Sequence, residues 1–372
     1  MKIECVEVIP IRAPRKEVVR SSASGAGVSA SEFGIVRIRC KGGYEGLGEI
    51  SITYPRIGFS LCHAARTLVA PALIGENALE MPRALGIVDR LLAGELSHCY
   101  IRGAFEMALL DLCGKKYGIP VYQLLGGKAR DSVPLAWGIY QKAPEEMAVD
   151  ALWGVRQGYH AIKLKVGRGL QEDIAAVRAV AQAIGKEMPL RLDANMGWQT
   201  VPDAARAMKA LSAEAPVAWY EQPLGRHNLD GMRLLRLRSG LAVMADESLQ
   251  TLHDAYQAAR SEAADIWNVY VAEAGGLRAA AHIFALAAVL DIPCIIGSQA
   301  EMGIGTAAAA HLGASVPNLP YACETFGPLR YERDIVRKTP RIENGFLYAP
   351  EEPGLGVELD EDAVRAMAVS DG

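Results

Sequence analysis

The chain has 372 residues, too many for one small domain, and suits a barrel-sized body of about 250 residues plus a smaller one. At 51% hydrophobic and 22% charged, with 37 Gly and 19 Pro, its composition excludes a disordered, collagenous or coiled-coil chain. Lys plus Arg total 39 against 43 Asp plus Glu, and a net charge of -4 offers no electrostatic case for nucleic acid or an acidic membrane, which leaves a small molecule as the expected partner.

The N-terminal stretch MKIECVEVIPIRAP carries Glu4 and Glu7 where a signal peptide needs an uncharged apolar core, and the apolar run at 283–290 is far too short to span a bilayer. The seven cysteines are odd in number, scattered and never spaced CxxC, which argues against a disulfide framework or a zinc knuckle and makes a reducing cytoplasm the expected setting. Residues 3–11 and 32–40 alternate apolar and polar, predicting an antiparallel hairpin. Its Ser- and Gly-rich connection, residues 21–31, has the length of a passive flexible loop or of a functional cover. Helical periodicity follows from about His63 to Tyr117, with Ala104, Ala108, Leu109 and Leu112 on one face and Gly118-Ile119-Pro120 as the stop. These elements make an α+β first domain, residues 1–128.

From about Val133 short apolar strands alternate with Ala-rich helices. Eight strand signals start at 133, 161, 190, 217, 241, 265, 293 and, less clearly, 319, so the spacing is 24 to 29 residues. Each strand but the last precedes a helix, as a closed parallel barrel requires, because every parallel crossover needs a helix of about a dozen residues. The expected fold is α/β: a (β/α)7β modified TIM barrel over residues 129–330, with an open doubly wound sheet as the alternative. The Pro- and Glu-rich tail, 331–372, is expected to pack back over the first domain.

Barrel active sites lie at the C-terminal ends of the strands, and here nearly every strand ends in a polar residue. Asp193, Glu221 and Asp246 end three successive strands, an all-oxygen set suited to a hard divalent cation such as Mg2+. Lys163 and Lys165, two residues apart, point to the same side of their strand, the barrel interior, where each ammonium is expected to depress the other's pKa. A cation beside a neutral lysine specifies enolate chemistry: the metal binds a substrate carboxylate, the lysine removes the proton on the adjacent carbon, and the enediolate is stabilised. Gly303-Ile304-Gly305, with Glu324 some twenty residues later, superficially meets a dinucleotide-binding description, but in a barrel the same glycines let helix N-terminal amides approach an anionic substrate. The seven histidines lack zinc-site spacing, and His311 reads as a core residue.

These residues resemble the enolase superfamily, and within it the muconate lactonizing enzyme and mandelate racemase branches. The likeness runs through RGAFEMALLDLCGKKYGIPVYQLLGG and then KLK, DAN, EQP, DES and AGGL in order, covering nearly the whole chain. It implies an N-terminal capping domain, one Mg2+ (or Mn2+) per subunit on Asp193, Glu221 and Asp246, Lys165 as base with Lys163 as its companion, and Asn195 and Glu247 as supports of the ligands. It also implies that residues 21–31 cover the substrate, with Arg20, Ser21, Ser22 and Ser298 as candidate contacts, that Glu301 is the strand-seven acid, and that the protein is a homo-oligomer. The departure is Tyr270, which stands where lactonizing enzymes and dipeptide epimerases of this branch carry a second lysine. A tyrosine supplies a proton more readily than it removes one, so cycloisomerisation of a small carboxylate is expected before symmetric racemisation. β-Elimination of a hydroxy or hydroxyamino acid, or a catalytically silent metal-binding barrel, are the alternatives.

Overall fold

The computed structural model describes residues 1–22, 27–52, 57–92 and 98–369. Alternating burial makes β1 (Ile3–Val19) and β2 (Val28–Cys40) antiparallel partners, and Gly42 and Gly43, both at positive φ, turn the chain into β3 (Tyr44–Ile52). The hairpin is longer than the apolar alternation predicts, for residues 29–31 belong to β2. Buried Val19 pairs with Val28, and Arg15 Nη1 donates to Ser31 Oγ at 2.5 Å, so polar contacts carry the pairing past the end of the apolar pattern. Residues 23–26 of the expected cover lie outside the described residues.

Helix α1 (His98–Tyr117) lies on this sheet, with Ala104, Ala108, Leu109 and Leu112 all buried. The approach to β3 is so close that a Cβ on Gly46 or Gly48 would fall 2.1 Å from the Ala108 carbonyl oxygen or 1.8 Å from that of Ala104. α1 is covered by other parts of the chain as well: Glu106 Oε2 accepts from Arg278 N of the barrel at 3.2 Å, and Asp111 accepts from Leu355 N of the C-terminal segment at 2.8 Å. The helix is therefore a layer between cap sheet and barrel, which is why it is buried well beyond the one predicted face.

Seven parallel strands follow in sequential order: β4 (Ala136–Ile139), β5 (Ala161–Lys165), β6 (Leu190–Asp193), β7 (Val217–Glu221), β8 (Val243–Ala245), β9 (Ile266–Val269) and β10 (Cys294–Ile296). The eighth signal is reduced to a bridge that nonetheless closes the circle. Cys323 N donates to Pro134 O at 2.7 Å, Ala136 N to Cys323 O at 2.8 Å and Glu324 N to Ile296 O at 2.9 Å. Closure removes the open doubly wound alternative and establishes the (β/α)7β barrel with its α+β cap. Crossover helices follow each of the seven strands, several with side-chain caps such as Thr200 on Asp203 N and Thr251 in a reciprocal capping box with Asp254. Val133–Pro134, read as the start of the first strand, pairs instead with Phe346–Leu347 of the C-terminal segment. That segment also reaches the cap, where Val369 N donates to Pro10 O at 2.9 Å. All seven cysteines are free, and no helix among the described residues is long and apolar enough to cross a membrane.

Candidate active site

Strand register sets the site. Lys165 pairs with Asp193 and Asp193 with Glu221, so the lysine and these carboxylates leave neighbouring strands at one level, and Asp246 follows β8 directly. Asp193, Glu221 and Asp246 are buried, and one oxygen from each lies within 4.8 Å of the others. The donor set is all oxygen, and Glu221 Oε2 has no hydrogen-bond partner among the described residues, so the group fits a hard divalent cation.

Gln222, the residue after Glu221, locks this geometry. Its Oε1 accepts from Asp246 N at 3.0 Å and Ser248 N at 3.1 Å, while its Nε2 donates to Leu224 O at 2.8 Å and Ser248 Oγ at 2.7 Å. The cost is a left-handed backbone at φ 35, repeated at Asn195 and Met196 (φ 41 and 61). Asn195 and Glu247 are bonded to one another at 3.1 Å, and Asn195 N donates to Asp193 Oδ1 at 2.8 Å. Burial, then Asp193, pushes the Glu247 carboxyl up to about 7.

Both lysines point into the barrel. Lys163 Nζ stands 2.6 Å from Glu221, 2.6 Å from Glu324 and 2.9 Å from Asp193, whereas Lys165 Nζ stands 2.5 Å from Asp193. With no cation on the trio, the carboxylates outweigh the mutual depression expected of the two lysines. Burial alone would lower both, but Asp193 and its neighbours outweigh it and hold both above the ordinary lysine range; Lys163 lowers Lys165 by less than Asp193 raises it.

Asp246 of the trio lines a cavity of about 570 Å³ under the cap, together with Lys163, Lys165, Tyr270 and Ser298 among others. Tyr270 OH accepts from Asn268 Nδ2 at 3.3 Å, and a Cβ on Gly297 would fall 2.4 Å from the tyrosine ring, so that glycine makes the space in which the ring sits. Burial, then Asp246, pushes the phenol well above its usual range and keeps it protonated. Glu301 is turned away from the cavity. Its Oε2 takes the hydroxyl of Ser298 and its Oε1 accepts from Gln299 N at 2.9 Å, which fixes the loop after β10. Arg20 is exposed, Ser21 buried, and Ser22 Oγ donates to Val166 O at 2.8 Å; it is Val19 rather than these three that lines the cavity.

The glycine-marked helix (Gly303–Ser315) does not present its N-terminus to the substrate, as the sequence suggested. Met302 N and Gly305 N each donate to Glu49 of β3 at 2.8 Å, and Gly303 N donates to Asp334 at 3.1 Å. The anion at this helix terminus is the protein's own. His311 is a core residue, with Tyr122 N donating to its Nδ1 at 3.3 Å. Sequence reading overlooked Tyr140, Arg226, Glu273 and Arg330 as lining residues and Glu324 as a partner of Lys163. Tyr140 and Glu324 follow or end strands and could have been found by the strand-end rule; Arg226 in a turn, Glu273 in a one-turn helix and Arg330 in a short 3-10 helix carry no such signal.

The family model for the mandelate racemase / muconate lactonizing enzyme N-terminal domain matches residues 6–126, and that for the enolase C-terminal domain-like unit matches residues 146–363. The chain is 30% identical to the N-succinyl-L-Arg/Lys racemase of Bacillus cereus over 99% of its length and 98% of that protein. It is 31% identical to the chloromuconate cycloisomerase CbnB of Cupriavidus necator over 98% of each. The crystal structure of muconate lactonizing enzyme from Pseudomonas fluorescens, complexed with muconolactone, superposes with a TM-score of 0.93 at 32% identity over 99% of both chains. The chain belongs to the mandelate racemase / muconate lactonizing enzyme family of the enolase superfamily.

Proposed function

We propose that this protein is a Mg2+-dependent isomerase that removes the proton beside the carboxylate of a small molecule, in the manner of a cycloisomerase. The observation that carries the reading is the buried trio of Asp193, Glu221 and Asp246 with the Lys165 ammonium beside it at the cavity wall. The trio would hold one cation per subunit, with Mn2+ as a substitute. Such a cation neutralises the charge that grows on the substrate carboxylate as the α-proton leaves.

Lys165 is the base in this reading because its side chain keeps 17% exposure, against 4% for Lys163, and because a cation on Asp193 would offset the negative charge that holds the lysine protonated. Lys163, held by three carboxylates, supplies fixed positive charge. Asn195 and Glu247 orient Asp193 and the loop beside it, and Glu301 positions Ser298 for substrate contact. Tyr270 stands four strands from Lys165 around an eight-stranded circle, on the opposite wall. Because it retains its proton it can deliver one but not take one, which suits one-base isomerisation better than two-base racemisation. The same retained proton favours β-elimination, with Tyr270 assisting departure of hydroxide, as the second reading.

The working unit in this proposal is a cytoplasmic homo-oligomer with a cap (1–128), a barrel (129–330) and a closing segment (331–372). Free cysteines support the compartment. The test is NMR of the Mg2+-loaded protein in D2O with hydroxy acids, amino acids, N-acylated amino acids and unsaturated diacids. Deuterium at the α-carbon or a new product, lost in Lys165→Ala, is expected. Silence across the set with metal demonstrably bound would favour the catalytically silent barrel.

A further inference from the structure

One cavity carboxylate has no part in the proton abstraction. Glu273, in the short helix Val271–Ala274 after β9, lines the cavity although only 6% exposed. Its Oε1 accepts from Tyr100 OH of α1 at 3.2 Å and from Gln299 Nε2, after β10, at 2.5 Å. Its Oε2 has no hydrogen-bond partner among the described residues. Cap and barrel thus converge to fix one oxygen of a single carboxyl group, with Gln250 and the Arg226 charge of the cavity wall also acting on it, and leave the other oxygen without a hydrogen bond. A buried acceptor in that condition is costly unless a ligand completes it.

We infer that Glu273 anchors the end of the substrate remote from the reacting carboxylate, and that it selects small acids bearing an N–H or O–H donor there over dicarboxylates. The inference rests on the proton-abstraction reading and narrows its substrate class. Burial pushes the Glu273 carboxyl up to about 7, so at pH 8 or above, where it is charged, a second carboxylate at this place would meet a like charge, a repulsion that discriminates against diacids. Arg226 shares the cavity and is the group that would draw a diacid instead, so the preference between the two termini decides between them.

The probes are straight-chain acids of four to six carbons ending in an amino, hydroxyl, carboxyl or methyl group. Their binding to Mg2+-loaded Lys165→Ala protein is measured by calorimetry at pH 8, where the Glu273 carboxyl is charged, and their α-exchange by the wild type in D2O. Amino- or hydroxyl-terminated acids should bind about tenfold or more tighter than the dicarboxylate of equal length. Adding Glu273→Leu should weaken them by about 10- to 100-fold and leave the methyl-terminated acid unchanged. Glu273→Gln keeps shape and an acceptor oxygen without the charge, so it should spare hydroxyl-terminated acids and weaken amino-terminated ones, and it serves where the leucine variant fails to fold. Equal affinity for all four termini, tighter binding of diacids, or indifference to both substitutions overturns the anchor. Glu273-dependent binding without any exchange by the wild type would contradict the proton-abstraction reading and leave the anchor standing.

Discussion

Among the residues at the barrel mouth, the two lysines are close in sequence and unlike in role. Both line the cavity, but Lys163 is enclosed by Asp193, Glu221 and Glu324, whereas Lys165 pairs with Asp193 alone and is the more exposed of the two. Lys165→Ala should lower α-proton exchange by about 10²- to 10⁴-fold, measured by deuterium incorporation, because it removes the general base. Lys163→Met should instead destabilise the metal-free protein by roughly 3–5 kcal/mol in denaturant unfolding, since buried carboxylates lose their counter-charge. Comparable exchange loss in both with no stability difference would contradict this division. The pair itself was legible, because alternation on a buried strand sends both side chains inward. The full set of charges around Lys163 was not, since it includes Glu324, 161 residues further along the chain and brought to Lys163 only by barrel closure. Glu273 carried no signal at all, for an acid one helical turn past a strand looks the same in sequence whether it faces solvent or a cavity.

The elements meet through glycines and one buried acid. Gly48→Ala would drive a methyl group into the Ala104 carbonyl of α1, and by overpacking it should cost about 1–3 kcal/mol in chemical denaturation. Glu49, from the same strand, ties β3 to the barrel helix Gly303–Ser315 through Met302 N and Gly305 N. Burial pushes its carboxyl up to about 7 despite these donors. A folded-state pKa raised above the unfolded value favours the folded protein at low pH. That contribution is whole below about 4.5 and is lost as pH rises through about 7, roughly 3 kcal/mol across the window. Melting temperature at fixed Mg2+ should therefore fall from pH 5 to 8, and Glu49→Gln should flatten part of that fall; an unchanged slope would show that Glu49 is not strained by ionisation. The glycine-marked helix start was readable as an anion site. Which anion fills it was not, because Glu49 arrives from a strand more than 250 residues earlier.

At the scale of the whole molecule, the barrel and its cap were written in a repeated strand-helix period and in the apolar face of α1. The eighth strand was faint because only a bridge at Cys323 and the amide of Glu324 perform the closure. Ring closure brings the ends of β6, β7 and β8 to one point, so cation binding and barrel stability are coupled. Mg2+ at a hundred times its dissociation constant should stabilise the fold by about 2.7 kcal/mol, and Asp246→Asn should remove most of that gain in thermal unfolding. The central claim is that this mouth removes the proton beside a carboxylate, and α-deuterium incorporation by the Mg2+-loaded protein in D2O tests it most directly. The account predicts incorporation or conversion that vanishes in Lys165→Ala; exchange that persists undiminished in that variant would contradict it.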